Sequence, residues 1–195
     1  MELPTYTNIL VQLIQSNHIA LVKLNRPQSG NSLQPQLLSE LGSALKVVNN
    51  HPELNRTLIL SEKVIIAAVN GPAVGYSVST PELYDLVYSV PDAYLFTPFV
   101  KQGMATEGAS SFSFPFLMGH QRAAALFLAG ERITAQEARD LGLINKIFPK
   151  DTFFPSVMEI AESLSRSPPG SLKATKRLMK EPVWLWRVQG SRQQV

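Results

Sequence analysis

Apolar and polar positions along this chain switch between a two-residue and a 3.6-residue period, and the switches mark its elements. Asn8 to Ile14 and His18 to Leu24 are dense in Ile, Val and Leu, with Gln15, Ser16 and Asn17 between them, which predicts two strands joined as a hairpin. The run Asn25-Arg26-Pro27-Gln28-Ser29-Gly30-Asn31 predicts a loop. From Ser32 to Asn50 apolar residues recur at Leu37, Leu38, Leu41, Ala44, Leu45 and Val48, a helical spacing with Pro35 near the first turn, where proline is tolerated. Thr57 to Leu60 and Val64 to Val69 predict two buried strands with only Ser61-Glu62-Lys63 between them. A parallel crossover needs about a dozen residues or more, so these two cannot be joined by one.

In the second half, Val78 to Val87 predicts a helix interrupted early by Pro81, and Ala93 to Thr97 a short strand. Ser110 to Leu128 reads as helix despite Pro115. Thr134 to Leu141 reads as another, opening with a Thr-x-x-Glu capping box at Thr134 and Glu137. Gly142 to Phe148 predicts a last strand. Phe153 to Ser165 and Ser171 to Lys180 predict C-terminal helices joined by Ser167-Pro168-Pro169-Gly170. Strands alternating with helices put the fold class at α/β.

Composition narrows the function classes. With 195 residues, 45% hydrophobic and 17% charged, the chain can bury one good-sized core, and one domain is the expectation. The 18 Lys and Arg against 15 Asp and Glu leave +3, and the basic residues are scattered rather than gathered into a stripe, which argues against nucleic acid as a partner. There is no cysteine, and His18, His51 and His120 offer no ligand spacing, so no metal site is expected. No apolar run reaches the roughly 18 residues of a membrane span, and Met1 to Val11 lacks signal-peptide order. An intracellular soluble protein is expected.

The most informative stretch is Val64 to Ser79, Val-Ile-Ile-Ala-Ala-Val-Asn-Gly-Pro-Ala-Val-Gly-Tyr-Ser-Val-Ser. It reads as a buried strand, a tight Gly-rich turn and a helix start, an arrangement that aims backbone N–H groups at developing negative charge. Three further segments occur in order. His18 to Asn31 carries Leu-Asn-Arg-Pro, Phe96-Thr97-Pro98-Phe99 leads to Gly103, and Ala125 to Phe148 contains Leu-Ala-Gly-Glu-Arg-Ile-Thr-Ala-Gln-Glu-Ala-Arg-Asp-Leu-Gly-Leu-Ile-Asn-Lys-Ile.

Together these resemble the enoyl-CoA hydratase/isomerase (crotonase) family over most of the chain up to about Lys180. The resemblance implies a crotonase-like fold of ββα spiral repeats, here incomplete, with C-terminal helices. It also implies an acyl-CoA thioester as substrate, with coenzyme A as part of that substrate and no separate cofactor. Family members hold the thioester oxygen with two backbone N–H groups, and by match within the motif Tyr76, just after Gly75, offers one of them. Hydratases of the family use two glutamates, and those places hold Ser79 and Phe99 here, which disfavours hydration.

Thr106-Glu107-Gly108 instead resembles the peroxisomal Δ3,Δ2-enoyl-CoA isomerase branch, in which a single glutamate is the base. A lone carboxylate suffices there, because it can take a proton from C2 of a 3-enoyl thioester and return it to C4 of the dienolate. Glu107 is thus the catalytic candidate, beside the plainer reading of an acidic residue in the first turn of a helix. Arg26 is a candidate for a CoA phosphate or an ordinary solvated arginine. Phe96, Phe99 and Met104 line an acyl pocket or the core, and Lys173 and Lys176 reach CoA or belong to a mixed-charge surface helix.

Two departures from the family pattern follow. Relatives place several tens of residues where this chain passes directly through Leu60-Ser61, a segment that carries the other oxyanion N–H and part of the CoA site. The expectation is therefore a truncated crotonase-like domain over 1–180 with an atypical, irregular tail over 181–195, and an enzyme whose activity is impaired or lost. The resemblance suggests a homo-oligomer, trimer or hexamer, if the fold is intact. It also suggests the peroxisome, although Arg192-Gln193-Gln194-Val195 is not a Ser-Lys-Leu type address.

Overall fold

A computed structural model describes residues 4–14, 18–29, 34–50, 63–79, 84–106 and 110–180. The N-terminal strands β1 (Ile9–Ile14) and β2 (Ile19–Leu24) pair antiparallel from Ile9 opposite Leu24 to Ile14 opposite Ile19, as the two apolar runs predict. Helix α1 (Pro35–Asn50) packs across them. Its 3.6-residue stripe buries Leu37 and Ala44 against Ile9, with Tyr6, Val11, Val22 and Leu24 around them. Glu40 fixes the register, accepting hydrogen bonds from the Asn8 backbone N–H at 2.7 Å and the Asn8 side-chain amide at 2.9 Å.

The rest of the chain winds in repeating units, each of which sends one strand into one sheet and the next into another. The first unit is β3 (Ile66–Val69), β4 (Ala73–Val74) and the single-turn helix α2 (Tyr76–Ser79). The second is β5 (Leu86–Ser89), β6 (Tyr94–Phe96) and then α3 (Ser110–Met118) and α4 (His120–Ala124). The third is β7 (Ile133–Thr134), α5 (Ala135–Asp140) and β8 (Lys146–Ile147). Strands β3, β5 and β8 form one parallel sheet, while β4 and β6 pair in parallel and β7 joins β6 antiparallel.

Between these layers lies the main core. Val78, Val87, Val90, Leu95, Phe114, Leu126 and Ile144 are among its buried members, and the Phe114 and Phe127 rings stack at 5.0 Å. Burying a side chain such as Phe114, which is 0% exposed, is worth about 2–3 kcal/mol relative to leaving it in water. The capping box forms as the sequence predicts: Thr134 accepts from the Glu137 N–H, and the Glu137 carboxylate accepts from the Thr134 N–H at 2.7 Å. The Thr134 N–H first, and then the Thr134 hydroxyl, which donates to the same carboxylate at 2.8 Å, hold the Glu137 carboxyl below the usual carboxylate range.

The structure alters several expected elements. The helix expected over Val78 to Val87 gives way at its far end, where Leu86–Ser89 is strand β5, while Val78 and Ser79 belong to α2 and residues 80–83 lie outside the described residues. Strand β5 pairs with β3 along its whole length and with β8 at Tyr88 and Ser89, and its buried Val87 and Tyr88 suit a central strand. The expected helix Ser110 to Leu128 is divided at Gly119, whose φ of 85° and ψ of 153° leave helical space, and it ends in a π-helical turn over Ala125–Ala129. The last strand shrinks to Lys146–Ile147 because Leu143 and Ile144 are drawn into the core first. The expected strand Thr57 to Leu60 and the join at Leu60-Ser61 lie outside the described residues, as do Glu107 and the tail over 181–195.

Helices α6 (Phe153–Ser165) and α7 (Pro169–Lys180) close the fold, with α7 beginning two residues earlier than its apolar spacing predicts because proline suits the first helical position. Helix α6 packs on β2 and β3, linking the N-terminal pair to the spiral. Helix α7 is fastened by charge. The buried Lys176 ammonium donates to the Asp85 carboxylate at 2.6 Å and to the Lys63 carbonyl. Asp85 also accepts from the Ile65 N–H at 2.7 Å, and the buried Lys63 ammonium donates to the Val48 carbonyl at 3.1 Å.

Candidate active site

The turn that opens the second half of Val64 to Ser79 is built by three hydrogen bonds. The Gly75 N–H donates to the Phe96 carbonyl at 2.8 Å, which continues the β4–β6 pairing one step past the strand. The Val78 N–H donates to the Gly75 carbonyl at 2.9 Å, and the Ser77 hydroxyl to the Val74 carbonyl at 2.8 Å. Gly75 has φ of 67°, the left-handed region that L side chains rarely adopt. This reversal places Tyr76 at the start of α2, and the first N–H groups of a helix have no intrahelical acceptor. That is the sense in which the residues suit the Tyr76 N–H to a ligand oxygen.

The structure brings three other predicted residues toward this turn. Phe96 ends β6 beside Gly75, and Phe99, 5% exposed, sets its ring edge 4.0 Å from where a Cβ on Gly75 would stand. The chain then makes a short 3-10 turn over Val100–Gln102, and the Met104 N–H donates to the Phe99 carbonyl at 2.9 Å, leaving the Met104 side chain exposed. Gly75, Tyr76, Phe96 and Phe99 thus adjoin one another, and Met104 is tied to them through the Phe99 carbonyl. Arg26 sits elsewhere, half-buried on the loop leaving β2, where it lines an opening of about 450 Å³ with Asn8, Asn25, Pro27, Gln28 and Ser29. The candidate base Glu107 lies between Thr106 and α3, outside the described residues.

Some expectations change with the geometry. Lys176 does not reach toward a ligand, because its ammonium is spent on Asp85 and the Lys63 carbonyl. Ser79 and Phe99 are both buried, and neither side chain ionises near neutral pH as a carboxylate does. Sequence reasoning missed Arg132, whose guanidinium lies 5.0 Å from the Tyr94 ring centre and 5.2 Å from that of Phe96, a cation–π arrangement capping the end of β6. No local pattern could have found it, since Arg132 and its rings are joined only by the β6–β7 pairing. Among the described residues no group of His, Cys, Asp and Glu could hold a metal ion. No helix among them is long and apolar enough to cross a membrane.

Comparison with known proteins agrees with this architecture. Rat enoyl-CoA delta isomerase 2 is 39% identical over 129 residues, 66% of this chain and 33% of the relative. Mouse peroxisomal enoyl-CoA delta isomerase 3 is 32% identical over 157 residues, 78% of this chain and 49% of the relative. The chain therefore spans between about a third and a half of the length of these curated relatives. The solved structure of an enoyl-CoA hydratase/isomerase from Pseudoalteromonas atlantica superimposes with a TM-score of 0.81 at 27% identity, over 89% of this chain and 82% of that one. The fold is thus crotonase-like, as the sequence resemblance implied. A sequence model of the enoyl-CoA hydratase/isomerase family matches residues 49–194, and the chain belongs to that family.

Proposed function

We propose that the protein binds an acyl-CoA thioester and moves a carbon–carbon double bond from position 3 to position 2 through a dienolate. In this reading Glu107 is the single base, and the Tyr76 N–H donates to the thioester oxygen as negative charge builds there. Glu107 removes a proton from C2, electrons shift toward the oxygen, and the same carboxyl returns the proton to C4. The observation that carries the reading is the Gly75–Tyr76 turn flanked by Ser79 and Phe99, neither of them acidic, where hydratases place their two glutamates. A positioned water needs both an acid and a base, whereas a proton shuttle along one face of the acyl chain needs one carboxylate. The two isomerase relatives support the same choice.

Coenzyme A enters as part of the substrate, and no further cofactor is needed. Phe96, Phe99 and Met104 would flank the acyl end, and Arg26 a CoA phosphate. Assembly as a trimer or hexamer fits the exposure of Phe112 and Phe116 on α3, whose rings stack on each other at 6.1 Å. The peroxisomal relative supports that compartment. The test is conversion of a 3-enoyl-CoA by the purified chain, followed through the absorbance of the conjugated product. Glu107→Gln is expected to lower kcat by about 10²–10⁴-fold. Equal rates for the two proteins, or faster hydration of a 2-enoyl-CoA, would overturn the reading.

A second reading is an acyl-CoA-binding, oligomerising remnant with impaired chemistry, favoured by the direct passage of the sequence through Leu60-Ser61. An oxyanion hole short of one donor costs about 10²–10³ in rate. Calorimetric binding of a CoA thioester without turnover would select this second reading.

A further inference from the structure

Among the described residues two buried hydroxyls lack a hydrogen-bond partner: Tyr6 Oη, which sits in the small N-terminal cluster, and Ser79 Oγ, which sits beside the Gly75–Tyr76 turn. Ser89 donates to the Val90 carbonyl at 3.1 Å and Thr97 to the Leu126 carbonyl at 2.8 Å. Ser110 is engaged as well. Ser79, 0% exposed, has an Oγ with no hydrogen-bond partner. An unpaired buried polar group costs about 1–3 kcal/mol, and the Val78 position beside it shows that an apolar side chain packs well on the same turn. A hydroxyl kept unpaired and already stripped of water is a donor in waiting.

Its place says what it waits for. Ser79 is three residues after Tyr76 on α2, and residues three apart lie on one helix face, with each side chain leaning back over the preceding turn. Ser79 Oγ therefore lies over the turn whose leading N–H is that of Tyr76. The reacting end of an acyl-CoA thioester is hydrocarbon apart from one strong acceptor, its carbonyl oxygen. Resting on the acyl-CoA reading above, we propose that the Ser79 hydroxyl is a second donor to that oxygen, working alongside the Tyr76 N–H. Side-chain hydroxyls serve in oxyanion holes as backbone amides do, and this one would supply the second of the two donors that the acyl-CoA reading calls for. No polar atom bonds Oγ in the free protein, so the ligand oxygen displaces only apolar contact.

The experiment compares wild type with Ser79→Ala and Ser79→Thr, using octanoyl-CoA and its thioether analogue S-octyl-CoA, which has no carbonyl oxygen, in calorimetry, beside 3-enoyl-CoA turnover. Wild type and Ser79→Thr should prefer the thioester to the thioether, and Ser79→Ala should lose about 3–10-fold of that preference. Where turnover is measurable, Ser79→Ala should lower kcat about 10²-fold with the melting temperature unchanged or raised. Thioester binding with the same preference in all three proteins would overturn the role of Ser79 and leave the acyl-CoA reading standing. Binding of neither ligand by wild type would overturn both.

Discussion

At the scale of single residues, Gly75 holds the site together. Its φ of 67° lets β4 turn into α2 within one residue while its N–H stays on the Phe96 carbonyl. The nearest side chain to an added Cβ is Phe99 at 4.0 Å, ordinary contact, so the penalty of Gly75→Ala is conformational and not steric crowding. The left-handed backbone costs an alanine about 1–2 kcal/mol, and chemical denaturation should read a loss of that size. If the turn instead relaxes to recover that energy, the Tyr76 N–H moves, and thioester affinity should fall while the loss in stability is smaller. Either outcome separates Gly75 from a mere linker, for which alanine would be neutral or mildly stabilising.

At the scale of elements, the Lys176 ion pair decides whether α7 belongs to the fold. The Lys176 side chain is 6% exposed and that of Asp85 16%, so the pair is largely withdrawn from water. Removing one member of a buried pair costs about 3–5 kcal/mol because the other charge is stranded, and the Ile65 N–H that Asp85 retains places the expected cost of Lys176→Met near 3 kcal/mol. Urea denaturation checks this, and the companion Lys176→Met, Asp85→Asn variant should recover part of the loss.

The same scale shows what was legible in advance. The β1–β2 pair, α1, the capping box at Thr134 and Glu137 and both C-terminal helices followed from local period and local chemistry. The strand Leu86–Ser89 did not, because it is defined by β3 and β8 on either side of it and not by a period of its own. Of the candidate site, the turn at Gly75 and Tyr76 was readable from its glycine and the motif. The unpaired hydroxyl of Ser79 and the guanidinium of Arg132 over Tyr94 and Phe96 were not, since burial and cross-strand contact are properties of the assembled layers.

At the scale of the whole molecule, the apolar interior is divided. A small cluster at Ile9, Leu37 and Ala44 serves β1, β2 and α1, and a larger one serves the spiral, with α6 touching both β2 and β3. Local opening follows the amount of apolar surface that each unit buries. Native-state hydrogen exchange should therefore show the amides of β1 and β2 exchanging before those of β3, β5 and β6. Leu37→Ala should widen that difference, whereas equal protection would indicate a single cooperative unit.

The wiring of the β3–β5–β8 sheet sets a schedule for biosynthesis. Strand β5 gains its second neighbour only when Lys146 and Ile147 have left the ribosome, and the Lys63 carbonyl meets its ammonium 113 residues later in the chain. Contacts of such long range close late and slowly. A nascent chain stalled before residue 146 would display Tyr88 and Ser89 with one edge unpaired. That edge of β5 is therefore open to wrong partners until Lys146 and Ile147 have emerged.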